Sequence, residues 1–238
     1  PPQLGLFVDG QAAGALTRFD GDLTPLGYLA DTTAALPYRL FDHPRVLVLG
    51  AGAGGDVLQA LAHAARRVDA VELDAQVVAL VQQDLAAFSG RPYSAPGVRL
   101  HVAEARGFVA ASREDYDLIQ VALLDAFGSS AAGLGALSES HLYTVDALQA
   151  YLARLAPGGL LAITRWVALP PRDSLRLFAT AIAALERRGV ADPGRSLAMI
   201  RSWNTVTLLV KNGGFSAAEV AAIAEFSRER SFDTVVLP

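Results

Sequence analysis

A glycine-rich segment directly follows a short apolar run, and its residue types suit close approach to a bound ligand. The apolar run covers residues 46–49, and the sequence Gly-Ala-Gly-Ala-Gly-Gly-Asp covers residues 50–56. Small residues let the backbone turn sharply and come near a ligand at the start of a helix. We therefore predict that a nucleotide-like cofactor is bound by Gly50, Gly52, Gly54, Gly55 and Asp56. The alternative is a tight turn without a ligand.

Acidic residues end the next two apolar runs along the chain. Glu72 and Asp74 follow the run at 68–71, and Glu104 follows the run at 98–103. A carboxylate at the end of the second strand of a nucleotide-binding sheet accepts hydrogen bonds from ribose hydroxyls. We assign that role to Glu72, and we predict that Glu104 accepts the amine hydrogens of adenine. Helix capping is the alternative for Glu104 and the favoured role for Asp74.

Asp125 follows the fourth apolar run and is our candidate catalytic residue. If the first and fourth strands are neighbours, Asp125 faces the glycine-rich segment, where it can orient or deprotonate a nucleophile. A loop cap is the alternative. Residues 126–137 are rich in Gly and Ser and predict a mobile lid, with a plain surface loop as the alternative. Four aromatic residues suit either an acceptor pocket or the core: Tyr28, Tyr38, Tyr143 and Trp166.

The elements that must position these residues alternate between strand and helix. Apolar runs predict strands at 45–49, 68–72, 98–102, 117–123 and 159–164. Amphipathic stretches predict helices near 55–65, 75–88, 105–112, 144–155, 172–188 and 216–230. Residues 197–201 and 205–211 predict a C-terminal antiparallel hairpin. The predicted fold class is α/β, with a doubly wound, mainly parallel seven-stranded sheet.

The first residues of the chain have a different pattern. Residues 4–8 and 15–19 predict two strands around Asp9-Gly10, and residues 24–36 predict a helix that ends before Pro37. We therefore predict two regions, a small N-terminal β appendage at 1–42 and a cofactor-binding domain at 43–238. Without a Pro-rich or Gly/Ser-rich linker, the appendage is expected to pack on the domain.

Composition excludes several classes of protein. The chain has 238 residues, of which 52% are apolar and 18% charged, so it can bury a full core and is not a disordered chain. A formal charge of −4, with only isolated basic doublets, gives no electrostatic reason to bind nucleic acid. Cys is absent, which excludes disulfides and a Cys nucleophile. No His, Asp or Glu spacing suits a metal ion, so we predict no metal.

Two further features argue against a nicotinamide-binding domain. Residues 116–121 lead to the Asp125 loop, and the turn at 157–159 leads into the fifth strand. Together with the terminal hairpin, they resemble the class I S-adenosylmethionine-dependent transferase fold. The resemblance is closer to the spermidine synthase (polyamine aminopropyltransferase) family than to ordinary methyltransferases. The matching motifs are residues 7–10, the glycine-rich segment, 71–74, Glu104, 116–119, 137–139 and 142–143.

This resemblance implies S-adenosylmethionine or decarboxylated S-adenosylmethionine as cofactor, but two positions depart from the family pattern. The family typically carries an Asp in the glycine loop and a pair of Asp residues after the fourth strand. Here these positions hold Ala53 and, for the first of the pair, Ala122, while Asp125 matches the second and Asp56 is displaced along the loop. Because these acids bind the aminopropyl ammonium and deprotonate the attacking amine, we expect weak putrescine transfer.

Three functions remain open. The leading one is a spermidine synthase-like transferase; the others are a methyltransferase on the same scaffold and a non-catalytic nucleotide-binding domain of a larger membrane protein. We expect a small-molecule acceptor, with an amine as one candidate, no nucleic acid and no membrane-spanning segment, and we keep a homodimer as one candidate assembly. Because the chain opens Pro1-Pro2-Gln3, it suits an excised piece. The expected location is the cytoplasm, or the cytosolic side of a membrane protein.

Overall fold

The computed structural model describes residues 1–8, 11–123, 141–167 and 169–238, and these are built around an eight-stranded sheet. Two further strands form an N-terminal hairpin. In chain order the strands are β1 (Gln3–Val8), β2 (Gln11–Thr17), β3 (Arg45–Leu49), β4 (Arg67–Glu72), β5 (Val98–Val102), β6 (Tyr116–Val121), β7 (Leu155–Trp166), β8 (Leu197–Arg201), β9 (Thr205–Lys211) and β10 (Asp233–Val236). Across the sheet the order is β10-β8-β9-β7-β6-β3-β4-β5.

The pairing of the strands places a crevice at the centre of the sheet. β5, β4, β3, β6 and β7 pair in parallel, whereas β7, β9, β8 and β10 pair antiparallel. The chain builds outward from β3 to β5 and then returns to add β6 on the other side of β3. Such a reversal opens a ligand crevice beyond the carboxyl ends of the two central strands. The first and fourth predicted strands are neighbours, since β3 pairs with β6, which is the condition set for the placement of Asp125.

Helices cover both faces of the sheet. They are α1 (Gly55–Ala62), α2 (Ala75–Ala79), α3 (Ala86–Ser89), α4 (Ala105–Ala111), α5 (Val145–Leu152), α6 (Arg172–Arg187) and α7 (Ala217–Glu229). Along β3, Val46 and Val48 pack with α1 and α7 on one face, while Leu47 and Leu49 pack with α4, α5 and α6 on the other. All four side chains are buried because both faces are covered, which is why the strand is a continuous apolar run.

Three details of the predicted elements are wrong. The sheet has an eighth strand, β10, whose four residues are mostly exposed and give too short an apolar pattern to predict a strand. The predicted helix over 75–88 is interrupted between α2 and α3 by a π-helical turn at Leu80–Asp84. The predicted helix over 24–36 is instead two 3₁₀ helices, Thr24–Asp31 and Thr33–Leu40, the second of which contains Pro37.

The break between the two 3₁₀ helices has a tertiary cause. Thr32 is extended there, and the Gln59 side chain of α1 donates hydrogen bonds to Leu29 O and to Thr32 Oγ1, each at 2.9 Å. Further contacts fasten this region, since Arg230 Nε donates to Ala30 O at 2.8 Å. No local sequence pattern predicts these hydrogen bonds. The domain boundary at residue 42 stays a prediction.

In the part of the chain that the structure describes, no helix combines the length and apolar character needed to cross a bilayer. The helices instead pack on both faces of the sheet.

Charged side chains cluster near the amino ends of the parallel strands, away from the crevice. Asp69 is fully buried in β4, and its carboxylate accepts from Arg99 Nε at 2.8 Å. Arg67 Nη2 lies 3.1 Å from the same carboxylate, and His101 Nε2 lies 2.9 Å from it. His101 therefore belongs to this polar cluster at the amino ends of the strands.

Removing the Asp69 carboxylate should destabilise the fold strongly, because its cationic partners would lose their compensating charge. We expect Asp69→Ala to lower the free energy of unfolding by about 3–5 kcal/mol. Asp146→Ala is the matched control, since Asp146 pairs with Arg187 at 3.1 Å but is 72% exposed, and it should cost less than about 1 kcal/mol. Urea unfolding measures both, and equal losses would contradict a structural role for the Asp69 cluster.

Candidate functional site

The glycine-rich segment forms the turn between β3 and α1. Gly50, Gly52 and Gly54 adopt φ angles of 77°, 53° and 86°, which residues with a side chain rarely adopt. A Cβ atom on Gly54 would lie 2.7 Å from Pro92 Cγ, so this position has no room for a side chain. Gly55 is the first residue of α1. Gly50, Gly52 and Gly54 are thus required by the geometry of the turn itself, whereas a Cβ atom on Gly55 would meet no neighbour within 4 Å.

Glu72 ties this turn to the end of the neighbouring strand. Its Oε2 accepts a hydrogen bond from Gly52 N at 2.7 Å, and its Oε1 accepts one from Asp74 N at 2.8 Å. The side chain is buried, with the residue only 9% exposed. Each carboxylate oxygen has a second lone pair, so Glu72 can accept further hydrogen bonds from a ligand.

Two other predicted acidic residues cap helices at the rim of the crevice. Asp74 accepts from Gln76 N at 2.8 Å at the start of α2, as favoured from the sequence. Glu104 accepts from Arg106 N at 2.9 Å and from Gly107 N at 2.6 Å at the start of α4. Capping fixes the position of the Glu104 carboxylate beside the crevice, and its role toward adenine stays a prediction.

Asp56, in the first turn of α1, is held by a buried polar network under the crevice. Its Oδ1 accepts a hydrogen bond from Gln120 Nε2 of β6. Gln120 Oε1 in turn accepts from the Tyr38 hydroxyl at 2.7 Å. Gln120 and Tyr38 are both buried. Three segments distant in the chain therefore fix the orientation of one carboxylate.

Burial changes the protonation of this network. Burial raises the pKa of Asp56 to about 6, although hydrogen bonds from Gln120 and from the Asp56 backbone lower it. Burial, followed by the nearby charge of Asp56, raises the pKa of Tyr38 well above its usual range. Tyr38 therefore keeps its proton at neutral pH and donates a hydrogen bond to Gln120 Oε1.

A cavity of about 1230 Å³ opens at the carboxyl ends of β3, β4, β5 and β6. Its lining in the described residues combines the glycine turn, the acidic strand ends and the N-terminal hairpin. The residues are Leu6, Gly14, Ala15, Gly50, Ala51, Gly52, Ala53, Gly55, Asp56, Val71, Glu72, Leu73, Asp74, Val77, Ala103, Glu104, Ala105, Arg106, Gly107, Ala110, Ala122, Leu123, His141, Leu142, Ala150 and Trp166. The predicted cofactor-binding residues are thus gathered in one place, except Gly54, which packs against Pro92.

The other predicted positions have different outcomes. Asp125 and the predicted lid at 126–137 lie outside the described residues, as does the turn at Asp9-Gly10. Of the four aromatic candidates, Trp166 lines the cavity and Tyr38 lies in the buried network. Ala53 and Ala122 also line the cavity, so the two departures from the family pattern lie at the site.

Sequence reasoning missed two polar partners of the turn. Gln120 interrupts the apolar run Leu118–Val121, and a buried polar residue inside such a run is a signal that could have found it. Tyr93 is buried and its hydroxyl donates a hydrogen bond to Gly52 O, but no local sequence pattern predicts that contact. Burial, with the charges of Glu72 and Asp56, raises the pKa of Tyr93 well above its usual range.

The raised pKa of Asp56 should make stability fall as pH rises. Between its ordinary pKa of 3.8 and its folded value of about 6, the carboxyl ionises first in the unfolded chain. This group therefore stabilises the folded state below pH 3.8 and loses that contribution as pH passes about 6, a change of about 3 kcal/mol. Asp56→Asn should remove this part of the pH dependence, measured by urea unfolding from acidic to neutral pH.

The control for that measurement is Asp146→Asn, which removes one exposed carboxylate. Identical pH dependence in wild type and Asp56→Asn would contradict burial of an ionisable Asp56.

Comparison with known protein families gives a match over more than half of the chain. The spermine/spermidine synthase domain family matches residues 33–164. A polyamine aminopropyltransferase from Korarchaeum cryptofilum is 27% identical over 117 residues, which cover 49% of this chain and 34% of that protein. The chain therefore spans only about a third of that relative's length.

Solved structures share the fold. A probable spermidine synthase from Corynebacterium glutamicum aligns with a TM-score of 0.64 at 19% identity, over 94% of this chain and 82% of that one. Human methyltransferase-like protein 13 in complex with SAH aligns with a TM-score of 0.54 at 16% identity, over 86% and 88%. The predicted fold class is confirmed, and the fold is class I methyltransferase-like. With more than half of its length matched, the chain belongs to the spermine/spermidine synthase family.

Proposed function

We propose that this protein binds S-adenosylmethionine or its decarboxylated form and transfers a group from the sulfonium to a small-molecule acceptor. The observation that carries the proposal is the cavity in which the Glu72-anchored glycine turn, Asp56 and Glu104 meet at the carboxyl ends of the parallel strands. The family relatives are aminopropyltransferases by name, and a methyltransferase of this fold was solved with SAH.

The residues of the cavity fit an adenosyl donor. Glu72 offers carboxylate lone pairs to ribose hydroxyls, and the small side chains of Ala51 and Ala105 leave space for the nucleoside beside the strand ends. Glu104 is held in place by its helix cap and is our candidate for the adenine amine. The donor supplies a carbon bonded to positively charged sulfur, and the C–S electron pair leaves with the sulfur when the acceptor's lone pair forms the new bond.

The acceptor side of the reaction is where this chain differs from its family pattern. An alkyl amine has a pKa of about 10.4, so it is protonated at neutral pH and needs a base before it can attack. Positioned bases typically contribute about 10²–10⁴-fold to rate, which the methyl groups of Ala53 and Ala122 cannot do. We propose Asp125 for this role, and we expect putrescine to be a poor acceptor.

Methyl transfer is the second candidate function. Methyl and aminopropyl transfer differ in which sulfonium carbon is attacked, so one donor site serves either. Intact S-adenosylmethionine carries a carboxylate that a fully acidic site would repel. The apolar Ala53 and Ala122 in the cavity lining favour acceptance of that intact donor.

Affinity for the donor should depend on Glu72. Glu72→Ala removes the ribose acceptor and the anchor of Gly52, and should weaken binding of S-adenosylmethionine by about 10–150-fold in calorimetry. Asp74→Asn is the matched control, because Asn retains the cap of α2 and the change is also confined to the cavity lining. Unchanged affinity in a folded Glu72→Ala protein would remove Glu72 from the donor site.

The products should identify the reaction. The protein is incubated with either donor and a panel of amine and oxygen acceptors, and the products are analysed by mass spectrometry. We expect methylthioadenosine if an aminopropyl-type group is transferred, or S-adenosylhomocysteine if a methyl group is transferred. With putrescine and the decarboxylated donor, turnover should lie below about 1 per second. Ala122→Asp should raise that turnover about 10-fold or more, and Ala122→Asn, which adds similar bulk without charge, should not.

Two outcomes would contradict the proposal. Donor binding without turnover of any acceptor would favour a non-catalytic binding domain. NAD binding without any binding of adenosyl sulfonium compounds would overturn the transferase function altogether.

A further inference from the structure

Asp56 is a cavity carboxylate without a protein counter-charge. It lines the cavity together with Ala53 and Ala122, the two positions where the family pattern has carboxylates. Within the described ranges, no Arg, Lys or His side chain forms an ion pair with it. Asp56 is only partly exposed, and a carboxylate that has lost part of its hydration without gaining a cationic partner is costly.

The groups around Asp56 do not compensate its charge. Its side-chain partner is the neutral amide of Gln120, whose orientation is set because the Tyr38 hydroxyl donates to the amide oxygen. The NH₂ group of Gln120 consequently faces Asp56. Glu72, another carboxylate, lies close enough to Tyr93 to raise the pKa of its hydroxyl, as Asp56 does. Among the described residues, the side-chain partner of Asp56 thus supplies no positive charge, although Arg106 and His141 also line the cavity, and its carboxylate is available to bind a cation.

We propose that Asp56 binds the positive charge of the donor, in place of the carboxylates absent at Ala53 and Ala122. This inference rests on the proposed function, since the cation belongs to an adenosyl donor. The donor offers two such charges, its sulfonium and its terminal ammonium, and both are recognised by the same chemistry. Two opposite charges about 4–5 Å apart, at an effective dielectric constant near 20, attract each other strongly enough to change the affinity for the donor by about 10–100-fold.

Three ligands that differ in charge separate these contributions. S-adenosylmethionine carries a sulfonium, an ammonium and a carboxylate, S-adenosylhomocysteine lacks the sulfonium but keeps the ammonium and the carboxylate, and methylthioadenosine carries none of the three. At about pH 8, where carboxylates are ionised, calorimetry should show that Asp56→Asn weakens S-adenosylmethionine binding by about 10–100-fold. It should weaken methylthioadenosine binding by less than about 3-fold. If Asp56→Asn weakens S-adenosylhomocysteine binding as little as methylthioadenosine binding, Asp56 binds the sulfonium. If it weakens S-adenosylhomocysteine binding as much as S-adenosylmethionine binding, Asp56 binds the ammonium.

Two variants make the test specific. Asp56→Glu keeps the charge and should retain most of the preference for the cationic ligand. Asp74→Asn removes a carboxylate from the same lining, where it caps α2, and should leave the ratio of the affinities unchanged. Because each ratio is measured within one protein sample, a reduced folded fraction does not alter it.

The outcomes distinguish this inference from the proposed function. If wild type binds all three ligands and Asp56→Asn weakens them equally or not at all, the role of Asp56 is overturned while the donor site stands. If wild type binds none of the three, the proposed function fails and the inference fails with it.

Discussion

The hydrogen bond from the Gly52 amide to the Glu72 carboxylate is the contact on which the geometry of the site depends. It joins the turn after β3 to the end of β4, and the second oxygen of the same carboxylate holds Asp74 N. Bonds of this kind gain strength where burial reduces competition from water. With the turn fixed, α1 begins at Gly55 and places Asp56 in the cavity lining, so the position of Glu72 helps to determine that of Asp56.

Asp56 illustrates how a binding site and a stable fold make opposite demands. A carboxylate whose pKa burial has raised to about 6 destabilises the folded protein at neutral pH, yet the fold encloses it with Gln120 and Tyr38 rather than with a cation. The ion-pair cluster around Asp69, at the other end of β4, has the reverse arrangement, because Arg67, Arg99 and His101 surround that carboxylate. The comparison separates a carboxylate that serves the fold from one available to a ligand.

The sequence predicted the central sheet closely, since strands buried on both faces are continuous apolar runs such as residues 46–49. It failed for elements whose form depends on partners far along the chain. The 3₁₀ helices around Thr32 depend on Gln59, and β10 depends on pairing with β8 rather than on burial. The α2 region kept its predicted extent, but its π-helical turn has no counterpart in the pattern of apolar residues.

For the site, the sequence by itself placed most of the predicted glycines and acidic residues at the crevice, because parallel strands bring their carboxyl ends to one edge of the sheet. It also determined the absence of acids at Ala53 and Ala122, which is a matter of composition alone. Asp74 and Glu104 cap helices, a local role that the sequence favoured for Asp74 and left open for Glu104. Only the tertiary structure decided the roles of the other two carboxylates: Glu72 anchors the turn, and Asp56 has no cationic partner among the described residues. These roles depend on distance and burial between segments remote in sequence, such as Tyr38 and Gln120, and no local pattern encodes them.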